Sequence, residues 1–192
     1  IWKIEYTLWR IFGKANMMSA VSACALTFHA YRHNGDQRRE RGMMIQATEI
    51  AGGQSQRFRD ALKSADLPAG DIDLPGRAFF EFTLDGDTVA WGGFETHGTD
   101  GLLRSLVVGP AYRSKGVGVS VLRAIEAIAA EQGIARFHLL TTSASGFFEQ
   151  QGYAVNQRVS APPLISQTEQ FMGLCPGSAC YMCKALSANA RK

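Results

Sequence analysis

Arg113-Ser114-Lys115-Gly116-Val117-Gly118 gathers two cationic side chains, a hydroxyl and two glycines just ahead of a long run of apolar residues at helical spacing. A diphosphate needs several main-chain N–H donors converging on one place, and a helix N-terminus supplies them together with a favourable dipole. Gly116 and Gly118 let the backbone come close where a Cβ would collide, while Arg113 and Lys115 add charge beside the anion. Spacing excludes two familiar phosphate loops. A Walker loop would end in Gly-Lys-Ser/Thr, and a dinucleotide loop would need a third glycine after Gly118. The bland alternative is a glycine-containing turn that merely opens a helix.

Other residues could do chemistry. Arg104 lies in the otherwise apolar run Leu102–Val108, where an unpaired charge would be costly, so it should face a carboxylate (Glu95 or Glu81) or a polar cleft that receives an anionic group. His138 falls in a strand and reads as a structural histidine, and His97 falls in a loop near Glu95. Cys175, Cys180 and Cys183 have C-x4-C-x2-C spacing, which plant-type iron–sulfur proteins use and which also suits soft ions. Against a metal site, Cys180 and Cys183 stand three apart in a strand and should point to opposite faces, and the fourth thiol would be distant Cys24. Three reduced thiols and no metal are expected. Cys175, followed by Pro176, borders the expected cleft.

The elements that must position these residues follow from periodicity. Residues 44–50 alternate as a strand, closed by Gly52-Gly53, and residues 54–65 place Phe58, Ala61, Leu62 and Ala65 on one helical face. A loop with two prolines over 67–75 leads to strands at 78–84 and 88–95, joined by the hairpin signal Asp85-Gly86-Asp87. Leu102–Val108 is apolar enough to be a central strand covered on both faces. Val117, Val121, Leu122, Ile125, Ile128 and Ala129 predict the longest helix, ending at Gly133. A strand at 136–142, a short helix at 145–151, a strand at 153–159, a helix from Pro163 to Gly173 and a last strand at 179–186 complete the order. An antiparallel front half followed by βαβ crossovers implies an α/β fold built on one mixed sheet of about seven strands with helices on both faces.

The 192 residues carry a formal charge of +3, but the excess is uneven. Residues 1–42 hold seven Lys/Arg and three Asp/Glu, whereas residues 43–192 hold thirteen and fourteen. The main domain therefore has no electrostatic footprint for nucleic acid. The run 17–30 has the look of a short signal-peptide core but is too short and polar to span a bilayer, and 32–41 reads as a charged linker. Residues 1–42 are thus expected to be an accessory or adventitious extension, and residues 43–192 the working domain. Clustered rather than dispersed cysteines favour a reducing cytoplasm.

Two segments at proper spacing, Leu106–Gly118 and Phe147–Tyr153, give a resemblance to the GNAT superfamily of N-acetyltransferases. The first fits its Arg/Gln-x-x-Gly-x-Gly/Ala loop and the second its Tyr-x-x-x-Gly-Phe segment. The resemblance implies acetyl-CoA as co-substrate, with the diphosphate held by amides from Ser114 to Val119, including Lys115, Gly116, Val117 and Gly118, next to Arg113. It also implies that the main chain of Leu106, Val107 and Val108 pairs with the pantetheine arm in a gap between that strand and the one at 136–142. Within the superfamily, Leu103–Val108, Leu139–Thr142 and the tail 171–179 resemble acetyltransferases of arsenic-resistance operons, which implies a small amine or amino-acid-like toxicant as acceptor. No membrane or nucleic-acid partner is implied, and a homodimer stays open.

The catalytic pattern departs from the superfamily. Where many members carry a tyrosine that protonates the departing thiolate, this chain has Phe148, which can donate no proton. Thr141 stands where an asparagine is frequent and could still hydrogen-bond cofactor amides. The protonated acceptor needs a base, for which Glu95 is the candidate, with Arg104 as candidate for an anionic substrate group. Three rivals to small-molecule acetylation remain: a non-catalytic acetyl-CoA binder, a thiol-based metalloid sensor, and acetylation of a protein N-terminus.

Overall fold

The computed structural model describes residues 44–51 and 56–186. The expectations for residues 1–42, and for the glycine pair at 52–53, lie outside the described residues. Within them, seven strands form one sheet in the order β1-β2-β3-β4-β5-β7-β6. The strands are β1 Ile45–Glu49, β2 Arg77–Leu84, β3 Asp87–His97, β4 Asp100–Val108, β5 Arg136–Thr141, β6 Ala154–Asn156 and β7 Cys180–Ala185. Helices α1 Gln56–Ser64, α2 Val117–Glu131, α3 Ser145–Gln150 and α4 Pro163–Ser166 complete the elements, with a π-helical turn at Gln170–Leu174. All described pairings are antiparallel except β4 with β5. The mixed α/β architecture read from the sequence is the one observed.

Local chemistry explains the front half. Asp85 and Gly86 both have positive φ, 53° and 89°, which gives the two-residue hairpin turn whose twist matches the flanking strands. Helix α1 buries Phe58 and Leu62, one turn apart, against Ile72, Phe79 and Val107 on one face of the sheet. On the opposite face α2 buries Val117, Val121, Leu122, Ile125, Ile128 and Ala129, the six positions its periodicity marks, against Phe80, Phe94, Leu103, Phe137 and Leu139. Gly133, φ 87°, ends the helix as a left-handed cap.

Two features of β4 shape the site. Arg104 pairs with Gly93 while Val107 pairs with Trp91, so Ser105 and Leu106 oppose the single residue Gly92 and form a bulge. Ser105 sits there at φ 59°, left-handed backbone inside a strand. In addition, β4 and β5 pair only through Asp100–Leu102 and Arg136–His138. Beyond those three positions the strands part.

The C-terminal third, with the end of β3, corrects three expectations. The strand expected over 153–159 is only Ala154–Asn156, because a 3-10 turn at Arg158–Ser160 takes over. The helix expected from Pro163 to Gly173 stops at Ser166, where the Thr168 hydroxyl donates to the Ile165 carbonyl and accepts from the Phe171 amide, and then resumes as the π-helical turn. His97 is the last residue of β3 rather than a loop residue. No helix among the described residues is long and apolar enough to cross a membrane.

Candidate active site

The parting of β4 and β5 opens a cavity of about 1060 Å³. Its walls are β4 from Leu103 to Leu106 with Val108, the end of β5 from Leu139 to Thr141 with Thr142 just after it, the start of α2, and Ala144, Phe147 and Phe148 at α3. Residues 65–68 of the α1–β2 loop and residues 174–176 with Ala179 of the C-terminal segment complete the lining.

One end of the cavity is built for an anion. Ser114 and Gly116 both have positive φ, 59° and 81°, so successive N–H groups turn inward as a nest at the head of α2. The amides of Ser114, Lys115, Gly116, Val117 and Gly118 bond to no other described residue, whereas that of Val119 closes on the Gly116 carbonyl at 3.1 Å. Val119 therefore lines the cavity without offering a free donor, which narrows the expected set by one. A Cβ added at Gly118 would project between Val108 and Phe147, 3.6 Å from each, into the mouth of the gap. The Arg113 guanidinium donates to the Val108 carbonyl at 3.0 Å and so fixes the loop to the end of β4. These features fit the diphosphate and slender arm of coenzyme A.

The remaining residues marked by the sequence divide. Leu106, Val108, Arg113, Ser114, Gly116, Gly118, Thr141 and Phe148 line the cavity. Val107 turns into the core under α1, Val117 into the core under α2, and Lys115 is exposed beyond the lining, so these three can contribute only main chain or long-range charge. Thr141 accepts from the Ala144 amide at 3.0 Å and thereby ties the end of β5 to the residue that precedes α3. Phe148, 7% exposed, packs edge-on against Tyr153 with no hydroxyl in the pair facing the gap. The Tyr153 hydroxyl instead donates to Glu126, and burial, reinforced by that carboxylate, raises its pKa.

Glu95 and Arg104 are brought together, but on each other. Both are buried, and the Arg104 guanidinium donates to Glu95 and, at 2.8 Å, to Asp71. Arg77 lies 3.0 Å from Glu95 and 3.3 Å from Asp71. The Gln170 amide, with its oxygen turned to Arg104, accepts from Nε and Nη2 at 3.2 and 3.0 Å, and His97 stands 3.3 Å from the second Glu95 oxygen. Two guanidinium groups and two carboxylates thus meet in a buried cluster, with the exposed Glu169 reaching Arg77 at 3.5 Å from outside. Arg104 reaches the cavity wall; Glu95 is not among the lining residues. Glu81, the other partner considered for Arg104, accepts from Thr88 instead.

Asp71, Arg77 and Gln170 escape a reading of the sequence because they come from a loop, a strand start and an irregular turn far apart in the chain. The signal that could have found them is the arginine itself, since one buried guanidinium needs more acceptors than Glu95 provides. His138 makes hydrogen bonds with Tyr181 at 2.7 Å and Asp100 at 2.9 Å, as a structural histidine does. Cys175 lines the cavity, and burial raises its pKa against the opposing pull of Arg158 and Arg104. Cys180 packs on the main core and Cys183 meets the Asn156 amide. Among the described residues no three His, Cys, Asp or Glu stand together as metal ligands.

The fold is similar to several solved acetyltransferases. N-acetylglutamate synthase from Neisseria gonorrhoeae, crystallised with coenzyme A and N-acetyl-glutamate, matches at TM-score 0.62 and 16% identity over 74% of this chain and 35% of its own. The present chain therefore spans about a third of that protein. A GNAT-family acetyltransferase from Staphylococcus aureus matches at TM-score 0.55 and 15% identity over 74% of this chain and 99% of its own. The ribosomal-protein-S18-alanine N-acetyltransferase of Escherichia coli matches at TM-score 0.53 and 15% identity over 75% and 95%. No curated protein matches the sequence. The acetyltransferase (GNAT) family profile covers residues 46–153, from β1 through the cofactor loop and α3 to Tyr153. With 192 residues in all, more than half the chain is matched, and the chain belongs to the GNAT family of acetyltransferases.

Proposed function

We propose that this protein transfers the acetyl group of acetyl-CoA to the amine of a small molecule. The observation that carries the reading is the set of free amides from Ser114 to Gly118 at the mouth of the gap between β4 and β5. Acetyl-CoA would supply the activated acetyl thioester. The nest would hold the diphosphate, and the main chain of Leu106 and Val108 would pair with the pantetheine arm along the side of β4 that β5 leaves. Leu103, Leu139 and Phe148 give the cavity apolar walls that would keep water from a bound thioester.

Direct transfer needs a neutral amine and a protonated leaving thiol. Phe148 supplies no proton. Glu95 is engaged by two guanidinium groups behind Arg104, so we assign it to holding that arginine in place rather than to taking the proton of the amine. Residues 65–68 and 174–176 line the same cavity as Arg104, and a cavity walled by these two connecting segments suits a small acceptor better than a peptide running through an open groove. A reducing cytoplasm suits the free thiols of Cys175, Cys180 and Cys183.

A thiol-release assay with acetyl-CoA against simple amines, amino acids, arsenical amino-acid analogues and a peptide N-terminus tests the reading, alongside calorimetric titration with coenzyme A. Release with a small amine and loss of coenzyme A affinity in Gly116→Val are expected, since valine cannot hold φ 81° without strain. Coenzyme A binding without release on any amine would leave a non-catalytic binder. Absence of binding would sink the reading.

A further inference from the structure

We propose that the acceptor selected by this cleft is a primary amine with an apolar body and no carboxylate of its own. The inference rests on the acetyltransferase reading and concerns the acceptor half of the same cavity. Of the cations lining the cavity, Arg113 is fixed at the cofactor end by its bond to Val108, which leaves Arg104; Arg158, behind the lining, donates to the Pro176 and Phe171 carbonyls. The Arg104 side chain is only 1% exposed, and its donors are committed to Glu95, Asp71 and Gln170. A carboxylate docking on it would have to dislodge Asp71 or Glu95. Either displaced group would be left buried with Arg77 as its one remaining arginine, where it now has two. With Glu169 reaching Arg77 at 3.5 Å as a third carboxylate, the two arginines are already fully compensated without a ligand, and an added anion would leave the cluster with a larger negative excess.

Beside Arg104, Ser105 and Cys175, what the cleft offers an acceptor is the apolar surface of Leu67, Pro68, Leu103, Leu174, Pro176 and Ala179. At its rim stands Asp66, exposed, with no ion pair to another described residue. Its backbone is held at φ 53° in the turn that follows α1. A lone carboxylate at the mouth of an apolar cleft raises the local concentration of ammonium groups and repels carboxylates. Selection therefore acts twice, against an anion at Arg104 and in favour of a cation at the rim.

The test compares matched acceptors that differ only in the carboxylate: phenethylamine with phenylalanine, isoamylamine with leucine, and tryptamine with tryptophan. The full chain with saturating acetyl-CoA should give a kcat/KM on the carboxylate-free member higher by roughly 100-fold or more. Asp66→Asn keeps a residue that tolerates left-handed backbone and should lower kcat/KM for the amines roughly tenfold at low salt, through KM and less so as salt rises. Equal or better turnover of the carboxylated members, or turnover of none of the three simple amines, overturns the proposal. Preferred release of thiol with phenylalanine would do so while leaving the acetyltransferase reading intact, whereas failure of coenzyme A to bind would strike that reading instead.

Discussion

Arg104 shows how much one buried charge can organise. It draws Asp71 from the loop after α1, Glu95 from β3 and Gln170 from the π-helical turn, and through shared carboxylates it meets Arg77 at the start of β2. Removing it leaves two carboxylates facing one arginine, so Arg104→Met should lower unfolding free energy by about 3–5 kcal/mol, read as an earlier urea midpoint. Glu95 is legible as a partner because it lies across the β3–β4 ladder from Leu102, two residues away from Arg104. Asp71, 33 residues distant and on a loop, is not, since sequence spacing carries no information about where a loop will fold back. His138 gives a second prediction at this scale. Burial pushes its pKa below 6.5, an effect that the hydrogen bond and charge of Asp100 oppose, as Arg136 and His97 add to it. The unfolded chain takes up the proton first, so His138 contributes stability that is complete above pH 6.5 and is lost as pH falls through the lower folded value. Urea midpoints between pH 7.5 and 5.5 should fall more steeply in the parent protein than in His138→Asn.

Among the elements, β4 does the most. Its bulge at Ser105 is answered on β3 by two glycines, and the reason is steric: a Cβ on Gly93 would lie 2.0 Å from the Ala78 carbonyl oxygen and 2.8 Å from Phe79 Cα. Neither contact is with a movable side-chain tip. Gly93→Ala should therefore destabilise by roughly 4 kcal/mol or more, or prevent folding, as checked by circular dichroism and chemical denaturation. Helix α2 is fully legible because six apolar residues repeat at its own period and the loop before it carries glycines at the turn. The segment after β6 differs from the strand and single helix that its sequence suggests. Its apolar residues have helical spacing, but Val159, Leu164 and Met172 are exposed, so periodicity there does not report burial. Thr168, whose side chain competes for main-chain groups, is the local reason the helix breaks. The bulge and the parting of β4 from β5 leave no trace in composition, and only the family resemblance announces the gap.

For the molecule as a whole, the cavity joins parts that the chain supplies separately: the α1–β2 loop, β4, β5, the start of α2, α3 and the segment before β7. A ligand that touches all of them should tie their stabilities together. Coenzyme A at about 100 times its Kd should add about 2.7 kcal/mol to the native state, by mass action alone. For a domain of this size that is a rise in Tm of roughly 5–10 °C in a thermal-shift measurement. No rise with coenzyme A would contradict the site. The same divergence of two central strands has a further consequence. A sheet ordinarily ends in edges at its margins, where exposed main-chain groups recruit neighbouring copies and invite aggregation. Here β4 past Leu102 is an edge in the interior, recessed between its neighbours. Only a guest slim enough to thread that slot can complete it, so hospitality to a thin cofactor arm and refusal of a second protein's strand come from one piece of geometry.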